Sequence, residues 1–133
     1  MAAQAKMLSA WMVVNNPNRK LNEDLNLTVG GTIQLNTEAL RLLGGQLLTV
    51  KVEVKDEDLA YDDLLTTDQS FQIGIHDTNP HCFNTGVIVP HGTLNDCEWL
   101  NDDRAEVYCR VSAKGGPVQT NAKRTDIEKV VIG

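Results

Sequence analysis

The chain has 133 residues, 41% hydrophobic and 23% charged, the composition of one globular domain with room for one core and not two. With 18 acidic against 12 basic residues it carries a formal charge of −6, which argues against nucleic acid or an anionic membrane as a simple electrostatic partner. Aromatic residues at 5% leave few rings for stacking bases or sugars.

The first apolar stretch, Met7 to Val14, falls short of the roughly 20 residues a membrane span needs. Asn15-Asn16-Pro17-Asn18 follows it where a signal peptide would place small residues for cleavage, so a cytoplasmic or virion location is expected. The segments around Trp11 to Val14 and Thr32 to Leu35 read as strands, with Gly30-Gly31 as a turn between apolar runs. Thr37 to Leu43 is the single helical segment, about two turns at most, capped by Asn36 or Thr37 and stopped by Gly44.

From Gln46 to Lys55 the residues Leu48, Val50, Val52 and Val54 alternate with polar ones, which predicts a strand with one buried and one wet face. Phe71, Ile73 and Ile75 repeat the pattern. Val87-Ile88-Val89 is a shorter apolar run ended by Pro90, and Ala105, Val107, Cys109 and Val111 alternate again. Ile127 to Ile132 closes the chain with a β-branched run. Gly44-Gly45, Asn79-Pro80, Gly92 and Gly115-Gly116-Pro117 fall between these runs as turns. The expected fold is all-β: one antiparallel β-sandwich or sandwich-like barrel over residues 1–133, with at most one short helix.

The sharpest chemical pattern is Asp56-Glu57-Asp58 followed by Asp62-Asp63, five carboxylates in eight residues directly after a strong strand. A loop of spaced aspartates can give calcium several of the six to eight oxygens it needs. Asp-x-Asp, a few residues, then Asp-Asp before aliphatic residues resembles a loop of the calcium- and phospholipid-binding β-sandwich of protein kinase C and synaptotagmin. The resemblance implies a calcium site with Asp56, Asp58 and Asp62 or Asp63 as ligands. The basic strand with which that family meets lipid has no counterpart here, so membrane docking is not expected. A second acidic stretch, Asp96, Glu98, Asp102 and Asp103, is expected at the same end of the sandwich. Solvated turns are the simpler reading of both loops.

His76, His81, Cys82, His91 and Cys97 cluster in sequence, but their spacing matches no zinc finger. Cys82 with His91 or His76 would make a thiol nucleophile and its base, and no local signature supports that chemistry. The three cysteines include no Cys-x-x-Cys pair and fit a reducing compartment. Phosphate-loop, dinucleotide, nucleophile-elbow and His-Glu-x-x-His motifs are absent from the sequence. The expected function is a non-enzymatic module for protein binding or self-association, with calcium as the one implied cofactor and no nucleic-acid partner. The alternative is a self-assembling structural protein, such as a virion shell, decoration or tail component. Its strand-like ends, Leu8 to Val14 and Ile127 to Ile132, would pair with neighbouring subunits.

Overall fold

Alternation of apolar and polar side chains decides the layers, and two sheets result. The computed structural model describes residues 2–57, 63–65, 69–95 and 104–131. The first sheet has strand order β1–β2–β6, with β1 at Ala5–Val14, β2 at Leu25–Leu35 and β6 at His81–Val89. The second is built on β3 (Leu48–Asp56) paired with β7 (Arg104–Gly115). Two short strands, β4 (Asp63–Leu64) and β5 (Gln69–Ile73), line the outer edge of β3. Three more, β8 (Val118–Gln119), β9 (Lys123–Arg124) and β10 (Glu128–Val131), line the outer edge of β7. All pairings are antiparallel. The fold is thus an all-β sandwich of two separate sheets.

The core lies between the sheets. Leu27, Val29, Ile33 and Leu35 of β2 face Val50, Val52 and Val54 of β3 and Val107, Cys109 and Val111 of β7, all fully buried. Both sides of the sandwich are bridged by side chains. On one side Asn121 reaches β1: its Oδ1 accepts from the Met7 N–H at 2.9 Å and its Nδ2 donates to the Met7 carbonyl at 3.3 Å. On the other, the rings of Phe71 and Phe83 meet at 5.8 Å and 53°, a tilted contact of the kind aromatic pairs favour.

The outer edge of β7 is completed piecemeal. Between the three short strands, buried Thr120 and Thr125 take over the ladder: their hydroxyls accept from the N–H groups of Ala113 at 3.0 Å and Cys109 at 2.9 Å. Their own N–H groups return to the carbonyls of those same residues, each at 2.9 Å. The N–H and carbonyl of both Ala113 and Cys109 are paired in this way, as an irregular segment lying against a core requires.

The helix α1 (Thr37–Leu43) is capped as its sequence dictates. Asn36 Oδ1 accepts from the Ala39 N–H, and Gly44, at φ 61°, takes the left-handed conformation and donates to the Leu40 carbonyl. A second, single-turn helix, α2 (His91–Asn95), adds to the one the sequence predicted. Pro90 supplies the carbonyl for the Leu94 N–H at 3.1 Å, and Asp24 from a distant loop caps the His91 N–H at 2.9 Å. That cap lies 67 residues away, so no local pattern announced it.

One further expectation is corrected. Gly30-Gly31 is not a turn but the middle of β2. Both strand-like ends join the chain's own sheets, β1 pairing with β2 and β10 with β7.

Candidate functional site: two unlike outer faces

The acidic segment after β3 is only partly described. Asp56 and Asp63 sit opposite each other in the β3–β4 ladder. Asp56 Oδ1 accepts from the Glu106 N–H at 3.1 Å, and Glu57 pairs with Arg124 at 3.0 Å. These two carboxylates hold the strand end together. Asp58, Asp62 and the Asp63 side chain lie outside the described residues, as do Asp96, Glu98, Asp102, Asp103 and Cys97. Among the described residues no three His, Cys, Asp or Glu side chains come together as metal ligands. The described flanks of the two acidic stretches are neighbours, since the Glu57 N–H donates to the Glu106 carbonyl at 2.8 Å.

Among the described residues the histidines and cysteines do not converge. His81 and Cys82 are consecutive in β6 and point to opposite faces, His81 beside Ile33 and Cys82 beside Thr32. His91 Nδ1 lies 2.9 Å from Asp24 Oδ1. Hydrogen bonding to the His91 side chain, then to its N–H, holds the Asp24 carboxyl below the usual carboxylate range. His81 Nδ1 sits 2.6 Å from the Asn79 carbonyl. Cys109 faces the core, where burial pushes its thiol up to about 12, so it is a small hydrophobe and not a nucleophile at neutral pH.

The outer face of the first sheet is the unusual surface. Its register rows run Ser9–Thr32–Cys82, Trp11–Gly30–Asn84 and Val13–Thr28–Gly86, with Ile88 beyond. None of these side chains carries charge, in a chain with 30 acidic and basic residues, and the charge on this face is at its end, where Lys6 pairs with Gln34. Trp11 is 41% exposed, Val13 51% and Ile88 58%. Leu8, the extra residue of a bulge between Met7 and Ser9, is exposed as well.

Glycines make this face flat. A Cβ on Gly30 would lie 2.2 Å from Trp11 Cζ2, so the indole rests directly on the backbone of β2. Beside it, Gly31 faces inward, where a Cβ would lie 2.9 Å from Phe83 Cζ. The pair lets Trp11 close on one side of the sheet and Phe83 on the other. Alternation of Trp11 and Val13 was the available sequence signal, and Gly-Gly inside a β-branched run was the second.

This sheet also ends in a long free edge. The nine residues of β6 pair with β2 on one side, and among the described residues no strand lies on the other. Between His81 and Val89 there is no Lys, Arg, Asp, Glu or Pro, the residues that usually guard an edge against pairing with another chain.

The second sheet presents the opposite chemistry. Lys51, Glu53 and Lys55 of β3 face outward beside Arg110 and Lys114 of β7. Glu53 stands 3.7 Å from Lys51, 4.0 Å from Lys55 and 3.9 Å from Arg110, one carboxylate among three cations. Arg124 lies 4.0 Å over the Tyr108 ring and shields it from water. One face is therefore uncharged from the Ser9 row to Ile88 and partly apolar, with Lys6 beside Gln34 at its end, and the other is cation-rich. No protein-family model matches the chain, and no curated protein matches it.

Proposed function

We propose that the chain is a non-enzymatic assembly module that associates with a second copy of itself through the outer face of the β1–β2–β6 sheet. The observation that carries this reading is the charge-free patch around Trp11, Val13 and Ile88. Two copies at −6 each repel one another in general. An uncharged face is where they meet at least electrostatic cost, and burying exposed apolar surface there is favourable at about 25 cal/mol per Å². Twisted sheets stack face to face at about 10 Å, roughly 30° apart. A two-fold axis through such a face presents the same residues from both sides. The unguarded edge of β6 adjoins the patch and supports the same role, including that of a structural shell or tail component.

The test is sedimentation equilibrium over a concentration series. The expected result is a concentration-dependent multimer that persists in chelator, weakened at least tenfold by Val13→Lys or Ile88→Lys. Both side chains are more than half exposed, so the monomer fold survives the change. A wild-type monomer at every concentration, or lysine variants that associate as the wild type does, would overturn the reading.

A further inference from the structure

The geometry points to an anion-binding groove on the opposite sheet, at the end of the β3–β7 pair, built for a small ligand bearing a phosphate or carboxylate group. The groove encloses about 510 Å³ and is lined by Leu47, Thr49, Lys51, Ser112, Lys114 and Gln119 among others. That is within the range of about 300–1,000 Å³ in which small-molecule sites fall.

The strand register fixes the chemistry. Thr49 pairs with Lys114 and Lys51 with Ser112, so two hydroxyls and two ammonium groups occupy the corners of one square on the sheet surface. The lysines lie on its diagonal, a separation of about 7–8 Å that long side chains bridge with a shared anion. Like charges placed this close favour a shared anion between them. Glu53, 3.7 Å from Lys51, also faces Lys55 and Arg110. Lys114 is exposed and has no ion pair among the described residues.

The turn that follows β7 shapes the floor. A Cβ on Gly115 would lie 2.9 Å from the Leu47 carbonyl and 2.8 Å from Leu43 Cδ1, so the backbone comes down close against the α1–β3 connection. Gly116 then turns the chain at φ 53°. Lysine ammonium groups are point charges without the fixed fork of arginine, so they hold phosphate and carboxylate alike. Thr49, Ser112 and Gln119 supply neutral donors and acceptors for the body of the ligand, and Leu47, 48% exposed, gives one apolar wall. The overall charge of −6 works against general anion attraction, so binding here depends on this local arrangement.

The test is titration of the full chain with inorganic phosphate and, separately, with citrate, followed by NMR at constant ionic strength. Saturable shifts confined to the groove are expected from at least one probe. Phosphate alone identifies a phosphate site, citrate alone a carboxylate site, and both together a general anion site. Lys51→Gln and Lys114→Gln each weaken binding about tenfold, while Lys129→Gln, on β10 of the same sheet, leaves it unchanged. Shifts that never saturate, or an equal loss in Lys129→Gln, would overturn the proposal in favour of diffuse charge. Because the groove and the Trp11 face are on different sheets, a wild-type monomer would leave this result standing.

Discussion

Replacing Gly31 and Gly86 by alanine, one at a time, should move stability in opposite directions. Both glycines lie in the same sheet, and both substitutions reduce the freedom of the unfolded chain, which stabilises by about 0.4–1 kcal/mol where the native backbone accepts it. They differ in the space the new methyl meets. At Gly31 it would lie 2.5 Å from the Ser9 carbonyl oxygen and 2.9 Å from Phe83 Cζ, inside the core. Phe83 is itself held against Phe71, so the ring has little room to withdraw. Overpacking of this kind costs about 1–3 kcal/mol, leaving a net loss of roughly 1–2 kcal/mol. At Gly86 the methyl meets nothing within 4 Å, so the gain stands alone. For 133 residues, an unfolding entropy of about 2.1 cal/mol/K per residue makes each kcal/mol worth roughly 3–4 °C. Differential scanning calorimetry should show Gly31→Ala melting about 4–7 °C below wild type and Gly86→Ala about 1–3 °C above it. A Gly31→Ala protein as stable as wild type would refute the claim that the glycine is there to admit Phe83.

Asn36→Ala removes the α1 cap and a tie to the N-terminal segment, since Asn36 Oδ1 also accepts from the Gln4 N–H at 2.9 Å; urea titration should show a loss of about 1–2 kcal/mol. Cys109 stays protonated in the fold to about pH 12, whereas an exposed thiol ionises near 8.5. Its contribution is therefore complete below the unfolded pKa and is lost as pH rises toward 12, by up to about 1.4 kcal/mol per pH unit. The measurement is stability from pH 8 to 10 in wild type and Cys109→Ala, and the wild type should fall more steeply. Asp24, with its pKa depressed by the His91 hydrogen bonds, works the other way: its contribution is present above the ordinary carboxylate pKa and fades as pH falls below it. The melting difference between wild type and Asp24→Ala should accordingly shrink from pH 6 to pH 3.

Legibility in the sequence followed the strength of local alternation. In β3 and β7 every inward position is apolar over seven or more residues, and both strands could be read directly. In β6 only Val87 to Val89 stood out, because upstream the inward positions are His81, Phe83 and Thr85 and the apolar rhythm dissolves. Gly30-Gly31 misled for a physical reason: glycine serves turns through its φ range, but here it serves a strand through its lack of a side chain. The asymmetry between the two outer faces was not legible at all, since strand neighbours are needed to bring Trp11, Asn84 and Ile88 onto one surface. Of the acidic segment, conspicuous as a string of letters, the described carboxylates Asp56 and Glu57 are occupied in holding strand ends.

The most direct test of the assembly account uses Cys82, whose exposed thiol lies in the uncharged face beside Thr32. Its alkylation rate should be followed by peptide mass spectrometry across the concentrations where the mass doubles, with Lys114 acetylation on the opposite sheet as reference. The account predicts that Cys82 slows several-fold as the multimer forms while Lys114 keeps its rate. A Cys82 rate that is constant through the doubling, or slowing at Lys114 in its place, would contradict it.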